Sequence, residues 1–78
     1  MIALIIAFRN FKDEEYLVPK KILEEAGFKV VTVSLREGQA EGVGGTKVEV
    51  EATLENLKVE DYHGLFFVGG PGALADLD

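Results

Sequence analysis

The chain has 78 residues, a formal net charge of −6, one histidine and no cysteine. A chain of this length forms at most one small domain and buries only roughly 60% of the surface that it exposes when unfolded. The acidic balance argues against nucleic acid or an anionic membrane as a partner, because both attract clusters of lysine and arginine. Disulfides and a cysteine nucleophile are excluded within these residues, and a single histidine cannot build a zinc cluster.

The first predicted element is a strand over residues 2–8, an unbroken apolar run rich in isoleucine. Such a run suits a strand that is buried on both faces, as in a parallel sheet flanked by helices. It is too short to span a bilayer and no basic segment precedes it, so we predict neither a membrane helix nor a signal peptide. We therefore expect a cytoplasmic protein. The polar residues 9–13 carry no helix signal, and we predict a loop there.

A helix is predicted over residues 14–26. Helical spacing places one apolar stripe along it: Val18, Ile22 and Ala26, with Leu23 beside them. Gly27 then lies where a left-handed residue is needed to end the helix, and Phe28 can pack on Leu23. These features predict a Schellman stop.

The start of this helix carries two adjacent acids, Glu14 and Glu15. Pro19 is tolerated near a first turn and costly deep in a helix, so it places the helix start within a turn of Glu15. Adjacent helical residues point in different directions, so we expect only one of the two acids to face the end of the sheet. A carboxyl group there can hydrogen-bond to a neighbouring thiolate. The alternative is a solvated acid that only complements the helix dipole.

A second β-branched strand is predicted over residues 29–35. Strand, helix and strand make a βαβ unit, which should be parallel and right-handed. A glycine-rich stretch follows, and after it Val48, Val50 and Ala52 alternate along the chain. We predict a hairpin there that is more exposed than the main sheet, with Gly44-Gly45 as a two-residue turn.

The remaining residues predict a short turn, a strand and a second helix. Residues 53–61 are predicted to form a short turn that contains Leu54 and Leu57, with Thr53 as its N-terminal cap. The third core strand is predicted over residues 64–68, and we expect His63 to be a surface residue at its start. Pro71-Gly72 predicts a turn, after which a helix begins.

This order of elements predicts a doubly wound α/β domain. Ligands in such sheets bind beyond the carboxyl ends of the strands, at a point where the strand order reverses. Two loops are therefore candidate binding segments: residues 9–15 after the first strand, and residues 69–73 after the third.

The sequence GGPGA at residues 69–73 has three functional interpretations and one structural one. Its backbone amides can form an oxyanion hole. Residues 70–75 also match the pattern G-x-G-x-x-A of dinucleotide-binding loops. The third possibility is an unspecific anion nest, and the structural alternative is a tight turn that needs glycine torsions.

Taken together, the two loops resemble a known family. The aliphatic strand, the stretch FKDEEYLVPKKILEEAGFKVVTVSL and the closing LFFVGG resemble the PfpI/ThiJ family, in the superfamily of the Parkinson-disease deglycase-like proteins. The resemblance covers all 78 residues but only the amino-terminal half of a typical member. We therefore expect residues 1–78 to be the amino-terminal part of a single PfpI/ThiJ-like domain.

The resemblance implies roles for three residues. Glu15, four residues before Pro19, matches the family glutamate that contacts the nucleophilic cysteine. Gly69 and Gly70 match the glycine pair whose second amide lines the oxyanion hole. The nucleophile itself lies in a part of the family pattern that these residues do not include. Two positions depart from the pattern: Val68 replaces a frequent proline, and His63 replaces a frequent aspartate.

The resemblance also implies a fold and an activity. The fold is flavodoxin-like, a three-layer α/β/α sandwich with a doubly wound parallel sheet, and these residues form its amino-terminal half. The complete protein would be a cysteine-dependent enzyme of the peptidase/hydrolase or glyoxalase/deglycase type, acting on a small carbonyl or peptide substrate without a cofactor, and a homo-oligomer. Two alternatives stay open: a class I glutamine amidotransferase-like domain, and a non-catalytic fragment that binds a complementing chain.

Overall fold

The computed structural model describes residues 1–68 of the chain. The strands of this part are β1 (Ile2–Ile5), β2 (Arg9–Phe11), β3 (Val30–Ser34), β4 (Gln39–Gly42), β5 (Lys47–Glu49), β6 (Ala52–Thr53) and β7 (Gly64–Phe67). The helix α1 spans Asp13–Glu25, and two 3-10 turns span Leu54–Asn56 and Val59–Asp61. The predicted turn at Pro71-Gly72 and the helix after it lie outside the described residues.

Within residues 1–68 the main sheet has four strands in the order β6-β3-β1-β7, and each of these neighbouring pairs is parallel. Ile2 pairs with Val30 of β3 on one side and with Gly64 of β7 on the other. The parallel βαβ unit and the third core strand are thereby confirmed. Helical crossovers between parallel strands are typical of the α/β class, and the fold is flavodoxin-like, as predicted.

The strand β1 is buried along its whole length because both faces of the sheet around it are covered. On one face Leu4 and Ile6 pack with Tyr16 of α1. On the other face Ala3 and Ile5 pack beneath the 3-10 turns, with Leu54 and Leu57 among the side chains that cover them. This double burial explains the unbroken apolar run at the start of the sequence.

The end of α1 is the predicted Schellman stop. Gly27 has a φ of 93°, and its N–H donates to the Glu24 carbonyl at 3.0 Å. The Phe28 N–H donates to the Leu23 carbonyl at 3.0 Å. The two bonds satisfy carbonyl groups that the last helical turn leaves without a partner.

The predicted apolar stripe of α1 does not face the sheet. Val18 is 54% exposed and Ile22 is 61% exposed, whereas Tyr16 is buried and Leu23 packs against the core. The tyrosine can lie under the helix because its hydroxyl has a partner, the Thr32 hydroxyl at 2.6 Å. The predicted stripe contains only aliphatic residues and therefore leaves out Tyr16.

A second, smaller sheet has the order β2-β4-β5. The loop predicted over residues 9–13 is wrong, since Arg9–Phe11 forms β2 and pairs in parallel with β4. Asn10 has a φ of 61°, and the register of the pairing shifts between Arg9 and Phe11, as at a β-bulge. Phe11 is fully buried, as expected of a core residue.

The predicted hairpin is present, with a different turn. β4 and β5 are antiparallel, and their side chains are more exposed than those of β1 and β3. The Gly42 N–H donates to the Thr46 carbonyl at 2.8 Å, so the loop has three residues, Val43–Gly45, where two were predicted. Gly45 has a φ of 95°, as the last residue of such a loop requires.

Thr53 does not cap the turn that follows it. It belongs to β6, it makes no side-chain capping bond, and its Oγ1 is buried without a hydrogen-bond partner in the part of the chain described. The short turn with Leu54 and Leu57 is confirmed. As for the membrane, no helix within residues 1–68 is long and apolar enough to cross it.

Candidate functional site

The start of α1 and the β4–β5 loop enclose an open pocket of about 450 Å³. It is lined by two short segments of the chain: Lys12, Asp13, Glu14 and Glu15 on the helix side, and Val43 and Gly44 on the hairpin side. The helix segment follows β1 and β2, which places it beyond the carboxyl end of β1. Doubly wound sheets bind their ligands at this end.

Acidic residues dominate the first turn of α1: Asp13, Glu14 and Glu15. Negative charge is favourable there because the amide groups at a helix N-terminus carry a partial positive charge. Lys12 occupies the N-cap position in an extended conformation, and its side chain makes no capping bond. The Lys12 Nζ lies 4.0 Å from Glu15 Oε2 in an exposed ion pair, a contact that contributes little to stability.

Asp13 holds the pocket together. Its Oδ1 accepts a hydrogen bond from the Gly44 N–H at 2.7 Å, and its Oδ2 accepts one from the Thr46 N–H at 3.0 Å. Hydrogen bonds from the Thr46 side chain and from these amides lower the pKa of the Asp13 carboxyl group to about 2. The carboxylate is therefore ionised at neutral pH and links α1 to the hairpin.

Glu15, the residue matched to the family glutamate, lies at the pocket, and so does its neighbour Glu14. Both are exposed. The helix starts at Asp13, within one turn of Glu15, in agreement with the position inferred from Pro19. We expected only one of the two acids at this end of the sheet, but both line the pocket, so the choice of Glu15 over Glu14 depends on the family pattern.

Gly69 and Gly70 lie outside the described residues, so the interpretations of the GGPGA sequence stay predictions. The chain reaches that segment along β7, and the Val68 N–H donates to the Ile5 carbonyl at 2.9 Å. Parallel pairing with β1 thus continues to Val68, which is buried. Pairing with Ile5 brings the chain to the carboxyl end of β1 just before the glycine pair.

His63 lies at the opposite end of the sheet, next to the first residue of the chain. Its N–H donates to the Met1 carbonyl at 2.7 Å, and its ring Nδ1 lies 3.0 Å from the Met1 amino nitrogen. It is exposed and directly precedes β7, so the predicted surface position is confirmed. Among residues 1–68, no three histidine, aspartate or glutamate side chains are close enough together to hold a metal ion.

Two site residues were missed in the sequence, Asp13 and Thr46. Asp13 was assigned to a loop, and Thr46 to a hairpin without a role. A signal was available at Gly42, a glycine in a strand where a Cβ would lie 2.7 Å from the Asp13 carboxylate. Glycine within a strand often marks the close approach of another group.

The parallel sheet defines an α/β domain of the doubly wound class, and the pocket lies at the end of the sheet where such domains bind their ligands. Residues 1–77 match the model of the DJ-1/PfpI family, and the chain belongs to this family.

Relatives and solved structures agree with this assignment. The chain is 36% identical over 72 residues to the uncharacterized protein MJ0967 of Methanocaldococcus jannaschii, covering 92% of this chain and 35% of that protein. It is 39% identical over 70 residues to the uncharacterized protein SAV1875 of Staphylococcus aureus, covering 88% and 40%. The chain thus spans well under half the length of these relatives.

A crystal structure of a ThiJ/PfpI domain protein from Brachyspira murdochii superposes with a TM-score of 0.91 at 32% identity, covering 95% of this chain and 43% of that one. A DJ-1 superfamily protein, Atu0886 of Agrobacterium tumefaciens, superposes with a TM-score of 0.70 at 25% identity, covering 90% and 38%. Both similarities support the α/β fold described above.

Proposed function

We propose that this chain is the amino-terminal part of a cytoplasmic, cysteine-dependent enzyme of the peptidase/hydrolase or glyoxalase/deglycase type. In the complete domain, Glu15 contacts a nucleophilic cysteine that the remaining part of the domain supplies, and Gly69 and Gly70 form the oxyanion turn. The substrate is a small carbonyl compound or a peptide. The observation that carries the proposal is the position of Glu15 in the pocket at the carboxyl end of β1, combined with membership of the family.

The proposed reaction needs a cysteine thiolate as the nucleophile and hydrogen-bond donors that stabilise the negative charge on the substrate oxygen. A Glu15 carboxyl group that donates a hydrogen bond to the cysteine sulfur favours its ionised form and so lowers the pKa of the thiol. The sulfur then attacks the carbonyl carbon, a C–S bond forms, and the electron pair of the C=O π bond moves to the oxygen. Backbone N–H groups of the glycine turn would stabilise that oxygen, an effect commonly worth about 10²–10³ in rate per donor.

The test compares Glu15→Gln with Glu14→Gln in the complete domain. We expect Glu15→Gln to raise the midpoint pH for alkylation of the cysteine by iodoacetamide by about one unit, because the thiolate loses the carboxyl group that stabilises it. Glu14→Gln should shift the midpoint less. It is a strict control, since the two residues are adjacent and line the same pocket. Equal shifts for the two variants would reject the assignment of Glu15.

A second candidate is a non-catalytic fragment that binds a complementing chain. The strand β7 favours it, because Phe66 is 50% exposed and Phe67 is 65% exposed on a sheet edge that is unpaired among residues 1–68. Unpaired strand edges recruit other strands. Native mass spectrometry of the intact material discriminates the two: a second polypeptide bound to this chain supports complementation, and one longer chain that bears the cysteine supports the enzyme. Membership of the DJ-1/PfpI family argues against the class I glutamine amidotransferase-like alternative.

A further inference from the structure

Asp13 joins two segments of the pocket that are far apart in the sequence. Gly44 and Thr46, whose amides bind its two carboxylate oxygens, are 31 and 33 residues away. One side chain therefore fixes the distance between the first turn of α1 and the hairpin loop.

The hairpin is shaped to receive this carboxylate. A Cβ atom at Gly42 would lie 2.7 Å from the carboxylate carbon and oxygens of Asp13, closer than real Cβ atoms approach other groups. A Cβ atom at Gly44 would lie 3.2 Å from Oδ2. Both glycines thus leave the space that Asp13 occupies. The φ of Gly42 is not in the left-handed region, so an alanine there would not strain its own backbone. It would clash with the Asp13 carboxylate.

The start of α1 has few restraints of its own. Its N-cap residue, Lys12, makes no side-chain capping bond. Pro19 has no N–H, so the backbone carbonyl of Glu15 lacks the donor four residues ahead that an α-helix normally provides. The turn that carries Glu15 is therefore held less firmly by its own helix than an ordinary first turn.

We propose that Asp13 is a positioning residue, which holds the first turn of α1, and with it Glu15, in a fixed place against the β4–β5 hairpin. This inference rests on the proposed role of Glu15. Both of its oxygens are bonded to the hairpin, so we assign Asp13 a structural contact and no direct part in the reaction. Its effect reaches the cysteine only through the position of Glu15.

The test uses the complete domain and two variants that break the same contact in different ways. Asp13→Asn replaces one acceptor oxygen by an amide donor, which cannot accept a hydrogen from a backbone N–H. Gly42→Ala leaves Asp13 intact and displaces its carboxylate. In both variants we expect hydrogen exchange of the Gly44 and Thr46 amides to rise about tenfold, as for the loss of one hydrogen bond. We also expect the midpoint pH of cysteine alkylation to move toward that of Glu15→Gln.

Gly45→Ala is the matched control. It strains the same loop, because Gly45 has a φ of 95°, and its Cβ would have no neighbour within 4 Å. It should leave the alkylation midpoint unchanged. If Asp13→Asn and Gly42→Ala exchange faster but alkylate with the wild-type midpoint, Asp13 serves stability only and the proposal is overturned. If Glu15→Gln itself leaves the midpoint unchanged, the proposed function fails, and the positioning role fails with it.

Discussion

The lowered pKa of Asp13 gives the stability of this fold one contribution that depends on acid pH. The folded-state pKa of about 2 lies below the ordinary value of 3.8. The carboxylate therefore contributes stability that is fully present above pH 3.8 and is lost as the pH falls from there toward 2. We expect Asp13→Asn to lower the melting temperature of the complete domain at neutral pH and to melt like the wild type at about pH 2.

Glu60→Gln is the control for this measurement, because it removes one negative charge from an exposed position on the second 3-10 turn. A melting difference between Asp13→Asn and the wild type that stayed constant from neutral pH to pH 2 would contradict the assignment, since it would not follow the titration of this carboxyl group.

The sequence reveals site residues only where their partners are local. Glu15 could be placed because Pro19 lies four residues away and restricts the start of the helix. Asp13 could not be placed, because Gly44 and Thr46 meet it across more than thirty residues of chain. Nothing in the residues around position 13 distinguishes an aspartate bonded to a distant loop from one that is solvated.

Among the elements, the end of α1 offers the clearest test of a prediction made from neighbouring residues, which is that a left-handed glycine ends the helix. Gly27→Ala should destabilise the complete domain by about 1–3 kcal/mol, because a side chain is strained in a left-handed conformation. The added Cβ meets no atom of residues 1–68 within 4 Å, so we attribute the effect to the backbone. Urea unfolding gives the free energy. Gly27→Asn should cost less, since asparagine tolerates this conformation better than alanine, and equal losses for the two would indicate another cause.

The errors at the level of elements share one physical origin, which is pairing between distant segments. β2 is too short to show a pattern of its own, and it exists because β4 lies beside it. The predicted apolar stripe of α1 leaves Val18 and Ile22 exposed, whereas Tyr16 is buried with its hydroxyl 2.6 Å from that of Thr32, a residue of β3. The helix end and the hairpin, which depend on neighbouring residues, were predicted, although the hairpin loop has one residue more than expected.

At the scale of the whole molecule, we propose the outward apolar side chains of α1 as the interface of the homo-oligomer that the family resemblance implies. Ile22 is 61% exposed, and Val18 lies on the same side of the helix. We expect Ile22→Lys to shift the complete domain toward monomers in light scattering coupled to size exclusion, because a charge is costly to bury in an apolar interface. Leu35→Lys is the control, since Leu35 is also exposed but lies after β3. Identical elution of both variants and the wild type would argue against this face as the interface.

The bonds between Asp13 and the hairpin also bear on the order of folding. They close loops of 31 and 33 residues, and the entropy of closing such loops must be overcome before the contacts can stabilise anything. The turn of Gly27 and the loop at Gly45 depend on neighbours in sequence and can form early. Interactions that form after the rate-limiting step slow unfolding and leave the folding rate almost unchanged. We therefore expect the contact between α1 and the hairpin to form after these local turns, and to prolong the lifetime of the native state without hastening its formation.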